Sequence, residues 1–429
     1  MRSAVQIDGA AAAANNAPTT RLRVLVLAES CPHPPNSGYF IRSWNLLRRL
    51  AERHEIVMLC HGEPEPASHA AVEAAAIRLE TVAGLPADRG LGFCGRLLRN
   101  VFSPYPYSVG KHFTSRYGRR IRQLIAAERF DLVHCEWLPY ARYLRYAPEL
   151  PSFVSLHNIE AEILRRRADR CGSALAACFF KLQAGKMERF ERSVLSSETR
   201  VAAVSARDCE QAGTWGARNS VVVENGVDLD FFRPSTVAPS RSELLLIGSL
   251  DWFPNQDAAE WMIRGILPRI RSRCADATLT VVGRRPSRAL MKLASPHAGV
   301  KLIGEVEDVR PYLARAALVL VPLRVGGGTR IKILEAFGMG KAVVSTTIGA
   351  EGLPVMDGNC IKLADETENF AAAVIQLLGS EEERRRLGMA GRRLAEERYS
   401  WDRQADILDA AWQEAAGRRC AGAVQEPVL

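Results

Sequence analysis

Short apolar runs alternate with longer stretches of helical period along almost the whole chain. "RVLVLAES" (residues 23–30), "EIVMLC" (55–60), "FDLVHCEW" (130–137), "SFVSLHN" (152–158) and "RVAAVS" (200–205) are each long enough for one strand. Near-continuous apolar runs separated by helix-length segments predict parallel strands with helical crossovers. After "VVVENGVDLDFFRP" comes a turn-rich stretch, "STVAPSR" (235–241), and the rhythm restarts with "ELLLIGS", "ATLTVVG", "LVLVPL" and "KAVVST". The pattern predicts two doubly wound α/β domains, residues 21–225 and 243–398, joined by a linker at 226–242. A chain of 429 residues also exceeds what one hydrophobic core ordinarily supports. Helical period returns from Trp401 to Ala416, and residues 1–20 and 419–429 read as flexible tails.

Open α/β sheets bind ligands beyond the C-terminal ends of their strands, so candidate chemistry is sought in those loops. The richest stretch is "VLVPLRVGGGTRIKILEAFGMGKAVVST" (319–346). Its strand leads into Gly326, Gly327 and Gly328, and then into a helix for which Thr329 is a suitable N-cap. Glycines let the backbone approach a ligand closely, and the open N–H groups of a helix start suit a phosphate. Arg330 and Lys332 put full positive charge at the helix end where the macrodipole disfavours it, which implies an anionic partner. The glycines alone are equally compatible with a plain strand-to-helix turn. "GMGKAV" is not the end of a Walker motif, because Glu335 stands where the first glycine belongs and Ala342 follows Lys341. Glu335 falls one turn into the helix, beside Ile331 and Gly338 at the edge of the apolar stripe. A carboxylate there can accept both hydrogen bonds of a ribose diol; a solvated helix glutamate is the other reading.

Composition narrows the class. With 47% apolar and 24% charged residues the chain reads as globular. The net charge of +9 is unevenly spread: residues 1–200 hold 28 Lys and Arg against 19 Asp and Glu, and the remainder is balanced at 29 each. Between residues 101 and 200 the clusters "SRYGRRIR" and "ILRRRADR" stand out as a candidate surface for anionic lipid, or as ordinary solvated helix faces. The ten cysteines form no CxxC pair and no cluster with histidine, which fits a reducing cytoplasm and suggests neither zinc nor a disulfide framework. The first twenty residues make a poor secretory signal, and no window offers the roughly 20 apolar residues of a membrane span.

The stretch "VPLRVGGGTRIKILEAFGMGKAVVSTTIGAEGL", with "VENGVDLDFF" and "SLHNIEAE" upstream, resembles the family 4 glycosyltransferases of the two-domain GT-B fold. It is most similar to bacterial transferases associated with exopolysaccharide synthesis, and the likeness runs from about residue 22 to residue 416. In that resemblance the final helix, residues 399–418, crosses back onto the first domain. Glu335 matches the second glutamate of the family's E-x7-E motif, a ribose binder, whereas the first is replaced by Gly327. The Arg and Lys that many members carry after the first strand of the second domain are missing from "GSLDWFPNQD", so Arg330 and Lys332 are expected to serve the diphosphate. Gly38, after "PHPPNS", resembles the glycine loop that nears the donor phosphates, and His157 resembles the histidine beside the transferred sugar. Glu160 is a weaker candidate, since "HNIEAE" also reads as an acidic helix start.

The resemblance implies transfer from a nucleotide sugar, with retention, to a glycan or lipid-linked acceptor. It implies no separate cofactor and no metal, the "DLD" at Asp228–Asp230 falling where the family has a domain-boundary turn. The protein is expected to work in the cytoplasm, in peripheral contact with an anionic membrane surface. A nucleotide-sugar 2-epimerase of the same architecture would share these features. A dinucleotide-dependent dehydrogenase lacks its glycine fingerprint here, and nucleic-acid binding has no motif to accompany the basic half.

Overall fold

The computed structural model describes residues 20–422, except positions 87, 89, 198, 296–298, 327 and 328. Two parallel sheets carry the fold. The first contains β1 (Arg23–Leu27), β2 (Glu55–His61), β3 (Ile77–Val82), β4 (Leu132–Cys135), β5 (Ser152–Leu156), β6 (Arg200–Ala203) and β7 (Ser220–Val222), in the order β3-β2-β1-β4-β5-β6-β7. The second contains β8 (Glu243–Ile247), β9 (Thr278–Val282), β10 (Val300–Gly304), β11 (Leu318–Val321), β12 (Val343–Ser345) and β13 (Lys362–Leu363), in the order β10-β9-β8-β11-β12-β13.

Each sheet is covered on both faces, which is why its central strands read as unbroken apolar runs. Along β1, Leu25 and Leu27 face the cluster of Tyr117, Tyr140 and Tyr143, while Val24 and Val26 face Leu46, Leu47 and Trp412. In the second sheet Leu245, Val319 and Val321 pack under Ile333, Leu334 and Phe337, and Leu244, Leu318 and Leu320 under Ile263, Ile266 and Phe370.

The helices that shape the space between the sheets are α1 (Gly38–Leu50), α2 (Glu160–Asp169), α3 (Ala206–Thr214), α4 (Ile331–Gly338), α5 (Glu381–Arg398) and α6 (Trp401–Gly422). The chain crosses between the two halves twice at neighbouring points, where the Val227 N–H donates to the Tyr399 carbonyl (2.7 Å) and Arg398 grips both oxygens of Glu224 (2.7 and 3.0 Å). From there α6 returns to the first sheet. It buries Trp401 and Trp412 and pairs Asp402 with Arg49 (2.7 Å), Asp406 with Arg53 (2.7 Å) and Asp409 with His54 (3.0 Å) at the end of α1.

The order of strands reverses between β1 and β4 in one sheet and between β8 and β11 in the other. At such switch points neighbouring loops diverge and leave a crevice. The loops after β1, β4, β8 and β11 therefore border one inter-domain cleft; Gly38 follows β1, Gly326 to Glu335 follow β11, and His157 and Glu160 follow the neighbouring strand β5.

Candidate active site

The second-domain wall is built around α4. Apolar Ile333, Leu334 and Phe337 anchor this helix to the sheet, leaving its N-terminus at the cleft. The N-cap is Arg330 rather than Thr329, and it makes no side-chain capping bond. Thr329 is drawn elsewhere: its hydroxyl donates to the Val204 carbonyl of the first domain (3.2 Å), and its own carbonyl accepts from Asn225 Nδ2 (2.9 Å). Gly326 has φ of 148°, and a Cβ there would lie 2.4 Å from Arg330 Nη2, so only glycine lets this guanidinium fold over the loop. Gly327 and Gly328 lie outside the described residues.

Lys332 sits at the end of β8, where its Nζ donates to Asn255 Oδ1 (2.8 Å). A Cβ on Gly248 would come within 2.6 Å of that Nζ and equally of the Asn255 amide, so the paired asparagine and lysine together fill the space a side chain would need there. Burial lowers the Lys332 pKa to about 7, with Arg330 adding repulsion, and it lowers the Arg330 pKa to about 10. Glu335, one turn further on, is 8% exposed, and burial raises its pKa to about 7 against the pull of Lys332. Two cations and a carboxylate thus share a desolvated helix end, where each charge costs free energy in isolation and a diphosphate would satisfy the cations.

The first-domain wall starts at α1. Ser37 caps this helix, and Gly38 faces Ile331, the first residue of α4: a Cβ on Gly38 would stand 3.9 Å from Ile331 Cδ1. His157 follows β5 directly, and its Nε2–H donates to the Glu136 carbonyl (2.5 Å). Burial, with Arg42 nearby, lowers its pKa to about 3, so the ring is neutral and Nδ1 is an acceptor. The Tyr39 ring packs beside it at 5.2 Å between centroids. Glu160 is capped over by Trp137 Nε1 (3.2 Å), and burial raises its pKa.

Behind this wall lies a buried polar group that sequence patterns did not single out. Glu136 accepts from Ser43 Oγ (2.7 Å), and burial raises its pKa to about 7. Arg42 is fully buried and donates to the carbonyls of Val223 (2.8 Å) and Glu224 (2.9 Å) and to Asn225 Oδ1 (3.1 Å). Asn255 and Asn225 are likewise contacts made across 77 and 104 residues of sequence. Asp228 of the "DLD" stretch accepts from the Phe231 N–H (3.0 Å) and from Arg48 (3.3 Å) at the domain boundary.

The arginine cluster "ILRRRADR" is not a uniform solvated face. Arg165 pairs with Glu188, Arg166 reaches the second domain at Glu351, and Arg167 lies over Phe180 (4.3 Å) and over Phe253 of the second domain (5.1 Å). On the helix Ser115–Ala127, by contrast, Arg116, Arg119 and Arg122 are exposed.

Two doubly wound parallel sheets joined through a returning C-terminal helix constitute the GT-B architecture. The family models agree with that class: residues 38–231 match "Glycosyltransferase Family 4" and residues 241–380 match "Glycosyl transferases group 1". The chain belongs to the family 4, or group 1, glycosyltransferases. It is 21% identical over 368 residues to an uncharacterized 44.6 kDa protein in the cps region of Klebsiella pneumoniae, covering 82% of this chain and 90% of that one. Over 197 residues it is 28% identical to a GDP-mannose-dependent phosphatidylinositol monomannoside mannosyltransferase of Mycolicibacterium smegmatis, covering 41% of this chain and 51% of the relative. Among solved structures, sucrose-phosphate synthase of Thermosynechococcus elongatus aligns with a TM-score of 0.69 at 14% identity, over 93% of this chain and all of that one. Anabaena HepE in complex with UDP-glucose aligns with a TM-score of 0.62 at 16% identity, over 94% and 100%.

Proposed function

We propose that the protein is a retaining, metal-independent hexosyltransferase that moves a sugar from a nucleotide-sugar donor to a glycan or lipid-linked acceptor in exopolysaccharide or cell-surface polysaccharide synthesis. The observation that carries this reading is the buried pair Arg330 and Lys332 at the start of α4, with Glu335 one turn behind and neutral His157 on the opposite wall. Glu335 would take the donor ribose, and Arg330, Lys332 and the helix N-terminus the diphosphate. The amides around Gly326, Gly327, Gly328 and Thr329 would line the phosphates, with Gly38 approaching from the first domain. The relative from a cps region supports the polysaccharide setting. A GDP-mannose-dependent relative and a solved structure in complex with UDP-glucose support a nucleotide-sugar donor without choosing a base.

The chemistry follows from where charge develops. As the glycosidic bond lengthens, negative charge grows on the departing diphosphate, and fixed cations aimed at it stabilise the transition state more than the ground state. A phosphate oxygen so held can accept the acceptor hydroxyl's proton on the same face, which gives retention without a covalent sugar intermediate. His157 has no acid to offer at neutral pH; it orients the sugar through its acceptor nitrogen. The test is incubation with UDP-glucose and GDP-mannose, with and without bacterial lipid extract. Acceptor-dependent release of nucleoside diphosphate that survives a chelator, with product of the donor's anomeric configuration, is expected. Conversion of the donor to its 2-epimer, indifferent to acceptor, would replace this reading with epimerase activity.

Peripheral membrane contact belongs to the same reading, with a different surface from "ILRRRADR". The helix Gly90–Val101 exposes Leu98 (69%), and Phe102 after it is 91% exposed, with Arg99 alongside. No helix among the described residues is long and apolar enough to cross a membrane. Apolar side chains beside basic ones suit reversible binding at a lipid surface, about 1 kcal/mol coming from each well-placed cation. Co-sedimentation with vesicles containing anionic lipid at low salt, lost in Leu98→Asp/Phe102→Asp, is expected; equal partition onto neutral vesicles, or none at all, would remove the membrane claim.

A further inference from the structure

The loop before α4 is held from the other domain at both of its ends. At its start, Arg166 of α2 donates through Nη1 to the Gly326 carbonyl, and the same guanidinium forks onto Glu351 at 2.8 and 2.9 Å. Glu351, on the turn after β12, is shared with Arg207 of α3, and Glu162 of α2 accepts from both arginines. At its end, Asn225 and Val204 fix Thr329 by the two bonds described above, and Arg42 in turn holds Asn225. Gly326 therefore meets a guanidinium from each domain, Arg166 at its carbonyl and Arg330 where a Cβ would stand.

We propose that Arg166 is a positioning residue for the donor diphosphate: it turns the Gly326 carbonyl toward the first domain, so that the loop is set for catalysis only when the domains are closed. The proposal rests on the donor-site reading given above. A carbonyl oxygen facing a diphosphate would repel it, and a guanidinium that claims this oxygen removes the repulsion while fixing the peptide plane. α2 begins three residues after His157, so one short helix connects the wall expected to meet the sugar with the loop expected to meet its leaving group. Glu351 makes the contact geometry-specific, since a bidentate pair selects one orientation of the two domains where a single point charge would not. Of the residues expected to bind the nucleotide, Glu335 on the ribose and Lys332, itself held by Asn255, lie in the second domain away from this contact. Arg166 thus ties closure to turnover and leaves binding of the nucleotide largely alone.

The test is the hydrolysis and transfer kinetics of whichever of UDP-glucose and GDP-mannose the wild type consumes, together with calorimetric affinity for UDP and GDP. Arg166→Met is expected to lower kcat by about 10- to 100-fold, the equivalent of one charge-assisted hydrogen bond, while affinity for the nucleoside diphosphate stays within about threefold. Arg166→Lys keeps the charge without the fork and should recover only part of the loss. Glu351→Gln should show the same split, and the Arg166→Met/Glu351→Gln double variant should be no worse than Arg166→Met alone, as coupled partners require. Wild-type kcat in Arg166→Met would overturn the proposal. So would an equal loss of kcat and nucleotide affinity accompanied by a lower melting temperature, which is the behaviour of a structural ion pair. Glu335→Gln separates the two levels of the argument: if it leaves UDP and GDP affinity unchanged, or if the wild type consumes neither sugar nucleotide, the donor-site reading falls and Arg166 falls with it.

Discussion

Lys332→Met is expected to lower kcat by about 10²- to 10³-fold while changing nucleotide affinity much less, the usual effect of removing one group aimed at developing negative charge. The methionine keeps the aliphatic stem beside Gly248 and Asn255 and removes only the ammonium, so the fold should survive and the loss should report on charge. Arg330→Met should act in the same direction, although its guanidinium also covers Gly326. A change confined to KM would mean that the cations bind ground state and transition state equally. The same lysine gives a pH signature. Burial brings its pKa to about 7, so the unliganded site loses this charge as pH rises through neutrality. A bound diphosphate favours the ammonium and raises its pKa again. Titration of UDP or GDP at pH 8, in buffers of different ionisation enthalpy, should therefore show proton uptake in the wild type and none in Lys332→Met. Uptake that persists in the variant would assign the proton to another group.

Glu335→Gln is expected to weaken nucleoside diphosphate binding by about 10- to 100-fold, because a neutral amide cannot accept from both ribose hydroxyls and each charge-assisted bond is worth roughly 1.5–3 kcal/mol. The burial that raises the Glu335 pKa to about 7 sets the direction of the pH effect: below neutrality the carboxyl is protonated, and its contribution to affinity fades as pH falls through 7. Stability runs the opposite way. The folded pKa lies above the ordinary value of 4.5, so ionising Glu335 costs the free protein stability as pH rises from about 4.5 through 7. The glutamine variant should consequently be at least as stable as the wild type at pH 8 while binding nucleotide worse. Unchanged affinity in calorimetry would remove Glu335 from the ribose.

What the chain announces in advance, and what it hides, follows from the range of the interactions. Parallel strands buried on both faces must be apolar throughout, so β1, β4, β8 and β11 were legible as runs, and with them the strand ends where a ligand is expected. The cations and Glu335 were legible because they sit within nine residues of a glycine turn, in local register on one helix. The N-cap was not, since Thr329 is diverted by Val204 and Asn225, residues more than a hundred positions away. Asn255 lies in the helix Phe253–Trp261 after β8, in a stretch with no sequence signal of its own. It supplies a carbonyl oxygen to the lysine that arrives from α4. Arg166 was hidden in plain composition: three consecutive arginines look alike in sequence, and only the approach of the second domain separates Arg165, paired with Glu188, from Arg166, which holds the Gly326 carbonyl.

The central claim is that a nucleoside diphosphate lies across the start of α4, between Lys332 and Glu335 and opposite His157. A crystal structure of the protein with bound UDP or GDP tests it most directly. Phosphate oxygens are expected within hydrogen-bonding distance, roughly 2.7–3.2 Å, of Lys332 Nζ and of the first amides of the helix, with both ribose hydroxyls on the Glu335 carboxylate. A nucleotide bound elsewhere, or one whose ribose turns away from Glu335 while its phosphates avoid Arg330 and Lys332, would contradict it.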